Sequence, residues 1–132
     1  MWDVIEHIKD THLLLRKIKS LLSPNGLFFF QTPNANSLAS TILHEKCNMF
    51  DGIEHCNLFS LKSIKMIARK HSFQVKKINT VISEIPIINN YLNFDDPYLG
   101  KNRDKKILNT ISEKELHKKL LGYKFQAVLQ KK

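Results

Sequence analysis

Glycine and arginine are the scarce residues of this chain. Gly26, Gly52, Gly100 and Gly122 are its only glycines, and none falls in a GxGxG run. Arg16, Arg69 and Arg103 are its only arginines, so the excess of 21 basic over 12 acidic residues, a net charge of +9, is nearly all lysine. Nucleic-acid readers rely on arginine forks for bidentate contacts, and these lysines are scattered over every segment. That favours a solvated basic surface over a nucleic-acid groove. Cysteine is also sparse: Cys47 and Cys56 match neither a CxxC redox pair nor a zinc knuckle, and reduced thiols in the cytoplasm are expected. Long apolar runs are missing too. The longest candidates, near 27–30 and 85–88, are strand-sized, far below the roughly 18 to 20 residues of a membrane span. No basic-then-apolar leader opens the chain, so neither export nor a membrane partner is expected.

What is present looks globular. Hydrophobic residues make up 42% and charged residues 25% of 132 positions, which excludes wholesale disorder. The length fits one domain over 1–132, large enough to bury roughly two-thirds of its unfolded surface. Asp10 or Thr11 is placed to cap a helix to about Leu22, with Leu14, Leu15, Ile18, Leu21 and Leu22 on one stripe. Ser23-Pro24-Asn25-Gly26 stops it. Leu27-Phe28-Phe29-Phe30 then reads as a strand apolar on both faces, expected inside a sheet covered by helices on each side. A short helix near 37–44 and a long polar loop follow. Ser60 caps a helix burying Leu61, Ile64, Ile67 and Ala68. Residues 73–82 read as a strand in imperfect alternation, and 84–103 as an irregular apolar segment, either packed core or a lid. Helical periodicity resumes from Asp104, restarts at the capping box Ser112-Glu113-Lys114-Glu115, and ends at Gly122. The last strand, 123–130, alternates with Tyr123, Phe125, Ala127 and Leu129 on one face. The fold class is α/β, with parallel strands and an antiparallel edge strand at the C-terminus.

Asp3, Glu6 and His7 are spaced i, i+3, i+4, which on a helical turn projects all three to one side. Such a turn at the carboxyl end of a strand lies where ligands bind in open α/β sheets, and the loop carrying Glu54-His55 reaches the same edge. Histidines and carboxylates converging there suit either a general base or a divalent ion. Each also has a plainer role. Glu6 can pair with Lys9, His7 can hydrogen-bond under the loop, Trp2 can pack, and Pro33-Asn34 can simply end a strand. His12, His44, His71 and His117 have no partners in the sequence and read as surface residues.

Asp3-Val4-Ile5-Glu6-His7-Ile8, the Leu-rich helix, Ser23-Pro24-Asn25-Gly26-Leu27, Thr32-Pro33-Asn34, Glu54-His55 with Phe59-Ser60, and Ser72-Phe73 come in a telling order. Together they resemble the C-terminal half of a class I S-adenosylmethionine-dependent methyltransferase, of the branch holding ubiquinone-pathway O-methyltransferases and small-molecule methyltransferases. The likeness covers about residues 1–82, and the tail from Leu121 resembles the family's last strand. It implies a partial Rossmann-like fold with the N-terminal strands and the glycine-rich cofactor loop missing, and an apolar insertion at about 84–121. Trp2 and Asp3 would line S-adenosylmethionine, and Pro33 and Asn34 would border a small-molecule substrate. Glu6, His7 and His55 would be catalytic, and Asp3, Glu6, His7 and His55 a metal set as in some relatives. Ser72 stands where the family usually has Gly, so a left-handed backbone is expected there. Three functions follow as expectations: methyl transfer to an oxygen or nitrogen of a small molecule; a non-catalytic remnant, alone or paired with a separate N-terminal half; and a lysine-rich nucleic-acid module.

Overall fold

The computed structural model describes residues 1–99 and 111–132. Helix α1 (Thr11–Leu21) begins where Asp10 Oδ1 accepts from Leu13 N. Its Leu15 is fully buried, with Leu14, Ile18 and Leu22 packed alongside, whereas Leu21, expected on the same stripe, is 85% exposed. Asn25, at φ 60°, turns the chain into strand β1 (Leu27–Pro33). Ser37 caps the short helix α2 (Leu38–Leu43), and two single-turn helices, His44–Lys46 and Asn48–Phe50, lead into the loop. Ser60 and Ser63 form a reciprocal capping box that opens α3 (Leu61–Lys70). Ser72 takes the expected left-handed conformation, φ 55°, and the chain enters strand β2 (Phe73–Val81).

Strand β2 is irregular for a physical reason. A bulge between Val75 and Lys77 opposes two residues to one, so Val75 and Ile78 both reach the core although three positions apart. The apolar stretch after it is not irregular as expected. It forms helix α4 (Ile85–Leu92), with Pro86 in its first turn, where a missing N–H is harmless. Ser112 caps α5 (Glu113–Lys118), and strand β3 (Lys124–Lys131) closes the chain. The helix read from Asp104 onward falls on residues outside the described ones.

The sheet has the order β1-β3-β2, with β3 antiparallel to both neighbours. The antiparallel C-terminal strand is therefore present but lies in the middle, not at the edge, because it inserts between the two parallel strands. Trp2 adds a parallel bridge to Gln31, continuing the sheet beyond β1, and Asn34 pairs in parallel with Phe59.

Phe28, Phe30, Phe125, Ala127 and Leu129 share one core with Leu15 of α1 and Ile64, Ile67 and Ala68 of α3. Both helices thus cover the same face of the sheet. The expected cover on each face is not what the described residues provide: Leu27 is 59% and Trp2 56% exposed. A hydrogen-bonded row crosses the second face instead. Asn79 Nδ2 donates to Gln126 Oε1 (3.3 Å), Gln126 Nε2 to Gln31 Oε1 (3.0 Å), and Gln31 Nε2 to Asp3 Oδ2 (3.3 Å). A smaller core gathers Ala39, Leu43, Cys47, Met49 and Ile88, so α4 packs on α2. Among the described residues, no helix is long and apolar enough to cross a membrane.

Candidate functional site

The site is assembled from a tight turn and a loop that meet at the carboxyl end of β1. Residues Ile5–His7 form one 3-10 turn rather than an α-helix, and Asp3, at φ 48°, lies outside it. The expected projection of Asp3, Glu6 and His7 to one side therefore fails for Asp3. Its carboxylate is held elsewhere: Lys124 Nζ donates to Asp3 Oδ2 at 2.7 Å, and Gln31 Nε2 adds a second contact. Trp2, the other residue expected at the cofactor, rests its ring 4.7 Å from that of Phe29.

Glu6 is 1% exposed. Its Oε2 accepts from the Thr32 hydroxyl at 3.0 Å, while Oε1 is buried without a hydrogen-bond partner. The plainer alternative, a pairing with Lys9, gives way to this inward turn. A buried, unpartnered carboxylate oxygen costs stability, and natural folds seldom keep one without a use for it. Thr32, which lies in the Thr32-Pro33-Asn34 motif but is not a candidate site residue on sequence grounds, is the partner of Glu6. Its fully buried hydroxyl is what aims Glu6.

The loop is organised by Asp51, which the sequence reading also missed. Asp51 Oδ1 accepts the backbone N–H groups of Ile53 (3.0 Å), Glu54 (3.0 Å) and His55 (3.3 Å). These donors, Ile53 first, hold the Asp51 carboxyl below its ordinary value. Asn57 stitches the loop to the turn: its N–H donates to Glu6 O (2.9 Å) and its Nδ2 to Ile8 O (2.7 Å). The loop then supplies an acceptor to each histidine. His7 Nδ1 is 2.7 Å from Glu54 O, and His55 Nδ1 is 2.8 Å from Asp51 Oδ2, in a contact too bent for a hydrogen bond. The two imidazoles stack with centroids 4.9 Å apart and planes at 28°.

Glu6, His7 and His55 can each offer a ligand atom within 4.8 Å of the others. Two nitrogens and one carboxylate oxygen suit a zinc-like ion, whose bonds of about 2.1 Å would require the three to draw closer. The orphaned Glu6 Oε1 fits such a use; Asp3 does not, being occupied by Lys124. Without a metal, the same arrangement offers an imidazole base beside a buried carboxylate.

Pro33 and Asn34, expected to border substrate, are both buried. Asn34 is consumed by the fold. Its Nδ2 donates to Leu120 O and Gly122 O, and its Oδ1 accepts from Asn36 N. A second group of titratable residues surrounds the α2–α4 core. Burial raises the Cys47 thiol, the Glu84 carboxyl and the Tyr123 hydroxyl above their ordinary values, and pushes Tyr98 up to about 12. Cys47 is a free, buried thiol, and its raised value keeps it in the poorly nucleophilic protonated form. Gly26, Gly52 and Gly122 lie in the turn after α1, in the loop at 52, and ahead of β3. None of these three opens a helix after a strand.

A methyltransferase-domain family model matches residues 1–78. The C-methyltransferase NovU of Streptomyces niveus is 37% identical over 76 residues, 56% of this chain and 17% of that protein. Among solved structures, an S-adenosylmethionine-dependent methyltransferase from Mesorhizobium loti superposes with a TM-score of 0.51 at 13% identity. That match covers 98% of this chain and 59% of the M. loti chain. Phosphoethanolamine N-methyltransferase 2 of Haemonchus contortus, in complex with S-adenosyl-L-methionine, superposes equally, TM-score 0.51 at 19% identity, covering 98% of this chain and 32% of its own. The likeness to these two structures is one of fold, and the chain spans a minority to just over half of the relatives it matches.

Proposed function

We propose, from the premise that this chain belongs to the methyltransferase-domain family, that it carries the acceptor side of an S-adenosylmethionine-dependent methyltransferase acting on a small molecule. The observation that carries this reading is the convergence of His7, His55 and buried Glu6 at the carboxyl end of β1. His7 Nδ1 faces a carbonyl, which can only accept, so the proton sits on Nδ1 and the lone pair on Nε2. His7 is also exposed, so an acceptor hydroxyl or amine can reach it. In this reading His7 Nε2 takes the proton released as the acceptor atom is methylated, and Glu6 steadies the cation formed. An oxygen or nitrogen acceptor, as in the ubiquinone-pathway branch, needs this step. So does a carbon acceptor, which the relative from S. niveus brings into consideration.

The residues of this chain do not by themselves fit S-adenosylmethionine. Trp2 and Asp3 offer at most one wall, and Asp3 is committed to Lys124. None of the four glycines falls in a GxGxG run. No step at the cofactor is therefore assigned to these side chains. A second reading has these residues as a non-catalytic remnant, or as one side of a site whose cofactor loop comes from a separate N-terminal half. In any preparation that transfers methyl groups, His7→Ala is expected to lower the rate about 10²–10⁴-fold with the fold intact; an unchanged rate overturns the base assignment. Calorimetric titration of the chain with S-adenosylmethionine separates the two readings. Saturable micromolar binding excludes the remnant, and absence of heat excludes catalysis by this chain alone.

A further inference from the structure

The loop at 51–55 does more than bring His55 to the site. It places an acceptor beside the same ring nitrogen of both histidines, in a hydrogen bond at His7 and in a bent ion-pair contact at His55. For His7 the acceptor is the Glu54 carbonyl at 2.7 Å; for His55 it is Asp51 Oδ2 at 2.8 Å. Two lone pairs at 2.8 Å would repel, so His55 Nδ1 carries its proton even though the contact is bent. We propose that Asp51 is a positioning residue of this site: it holds the loop through Oδ1 and, through Oδ2, fixes His55 as the Nδ1–H tautomer, with Nε2 left as the basic nitrogen in register with His7. The inference rests on the reading of His7 and His55 as the proton-handling pair, but its geometry stands independently of turnover.

The division of labour between the two oxygens is what makes the idea testable. Oδ1 takes three backbone N–H groups, a role that an asparagine carbonyl can fill. Oδ2 faces an imidazole N–H, a role that an asparagine NH2 group reverses, because it presents a donor. Asp51→Asn therefore keeps the turn and inverts the tautomer demanded of His55, the same logic by which an Asp-to-Asn change disables a catalytic histidine elsewhere. His7, held by a main-chain carbonyl, is untouched.

Nitrogen-15 NMR of the imidazoles in the full chain, at a pH where both rings are neutral, reads this directly. The wild type is expected to show pyridine-type Nε2 signals for both His7 and His55. In Asp51→Asn, His55 Nε2 moves to the pyrrole-type range while His7 stays. A His55 signal that does not move overturns the proposal, as does a wild type already showing His55 as Nε2–H. If Asp51→Asn fails to fold, Asp51→Ser, which retains a turn-capping oxygen but no group reaching His55, is expected to release His55 to a mixture of tautomers. An unmixed Nδ1–H signal in that variant likewise overturns it. Failure of the functional reading looks different: His55 changes tautomer as expected, yet methyl transfer is unaffected.

Discussion

Two histidine pairs of similar ring spacing sit at either end of the same short stretch of chain, and they are built oppositely. His7 and His55 stack at 4.9 Å, each with Nδ1 against an acceptor. His12 and His71, with centroids 5.0 Å apart, hydrogen-bond to each other, His12 Nδ1 to His71 Nε2 at 2.8 Å. Lys70 Nζ lies 3.5 Å from His12 Nε2, so the ammonium donates to His12 and His12 in turn donates to His71. A proton added at Nε2 of His7 or His55 breaks no hydrogen bond, since in both rings the nearby acceptor lies on the Nδ1 side. A proton added to His12 or His71 removes an acceptor on which a bond depends. The first pair leaves Nε2 of both rings outside these contacts, whereas the second ties its two rings to each other. Ring proximity alone distinguishes nothing; what each nitrogen faces decides the role.

The comparison is broken most severely if the second pair turns out to be what holds α1 to α3. Packing should do that instead. Leu15 and Ile64 are fully buried in one cluster between the helices and the sheet. Ile64→Ala is expected to cost about 2–5 kcal/mol, read from the midpoint of urea unfolding. His12→Gln should cost well under half as much. A histidine variant that matches Ile64→Ala would make the polar contact the main tie.

The first pair is sharpened by Glu6. A buried carboxylate with one oxygen unpartnered weakens the fold and is tolerated at functional sites. Glu6→Gln keeps an acceptor for Thr32 and removes the buried charge, so it is expected to raise stability by about 1–2 kcal/mol while impairing proton transfer. A loss of stability would mean that Oε1 already has a partner in solution. No comparable gain is expected at His12 or His71.

The legibility of these regions from sequence follows how local their causes are. Asp10, Ser60 and Ser112 cap the helices they were expected to cap, because a cap needs only its next three residues. The alternation of Phe125, Ala127 and Leu129 likewise settles which face of β3 is buried. Glu6, His7 and His55 could be gathered because a strand end and its neighbouring loop share an edge. The position of β3 between β1 and β2 could not, since nothing in its own residues distinguishes a middle strand from an edge. Thr32 is 26 positions from Glu6, and His71 is 59 from His12; each contact exists only once the sheet has been ordered. Asp51 was closer to hand, four residues before His55, but its role depends on a loop conformation that spacing does not specify.

A smaller effect probes how His12 is presented. Asp10 caps α1 two residues earlier, accepting from Leu13 N at 2.8 Å. Asp10→Ala is expected to cost about 1 kcal/mol in unfolding experiments and to loosen the first turn. The His12–His71 bond should weaken with it, visible as a shift of the His12 imidazole signals, while those of His7 and His55 stay in place. Coupled movement of all four rings would join the two pairs into one unit and remove the contrast.

The smallest expected effect, and the most specific, is on the pH dependence of stability. Burial depresses His71 below its ordinary 6.5, and His12, Arg16, Lys70 and Lys19 add to the shift through their charges. Among the groups that act on it, none carries a negative charge. A histidine whose folded value is depressed binds fewer protons folded than unfolded as the pH drops, so its contribution is present above about 6.5 and is lost as the pH falls through and below that value. Asp51 is also depressed, but from an ordinary 3.8, so its contribution is lost only in stronger acid. The two windows do not overlap. Thermal melting of the wild type is expected to fall by a few degrees between pH 7.5 and pH 5.5 beyond what His71→Gln shows over the same range. Parallel curves for the two proteins would show that the His12–His71 bond is not maintained in solution. A decline that survives His71→Gln but disappears in His55→Gln would transfer proton sensitivity to the first pair and reverse the assignment of roles between them.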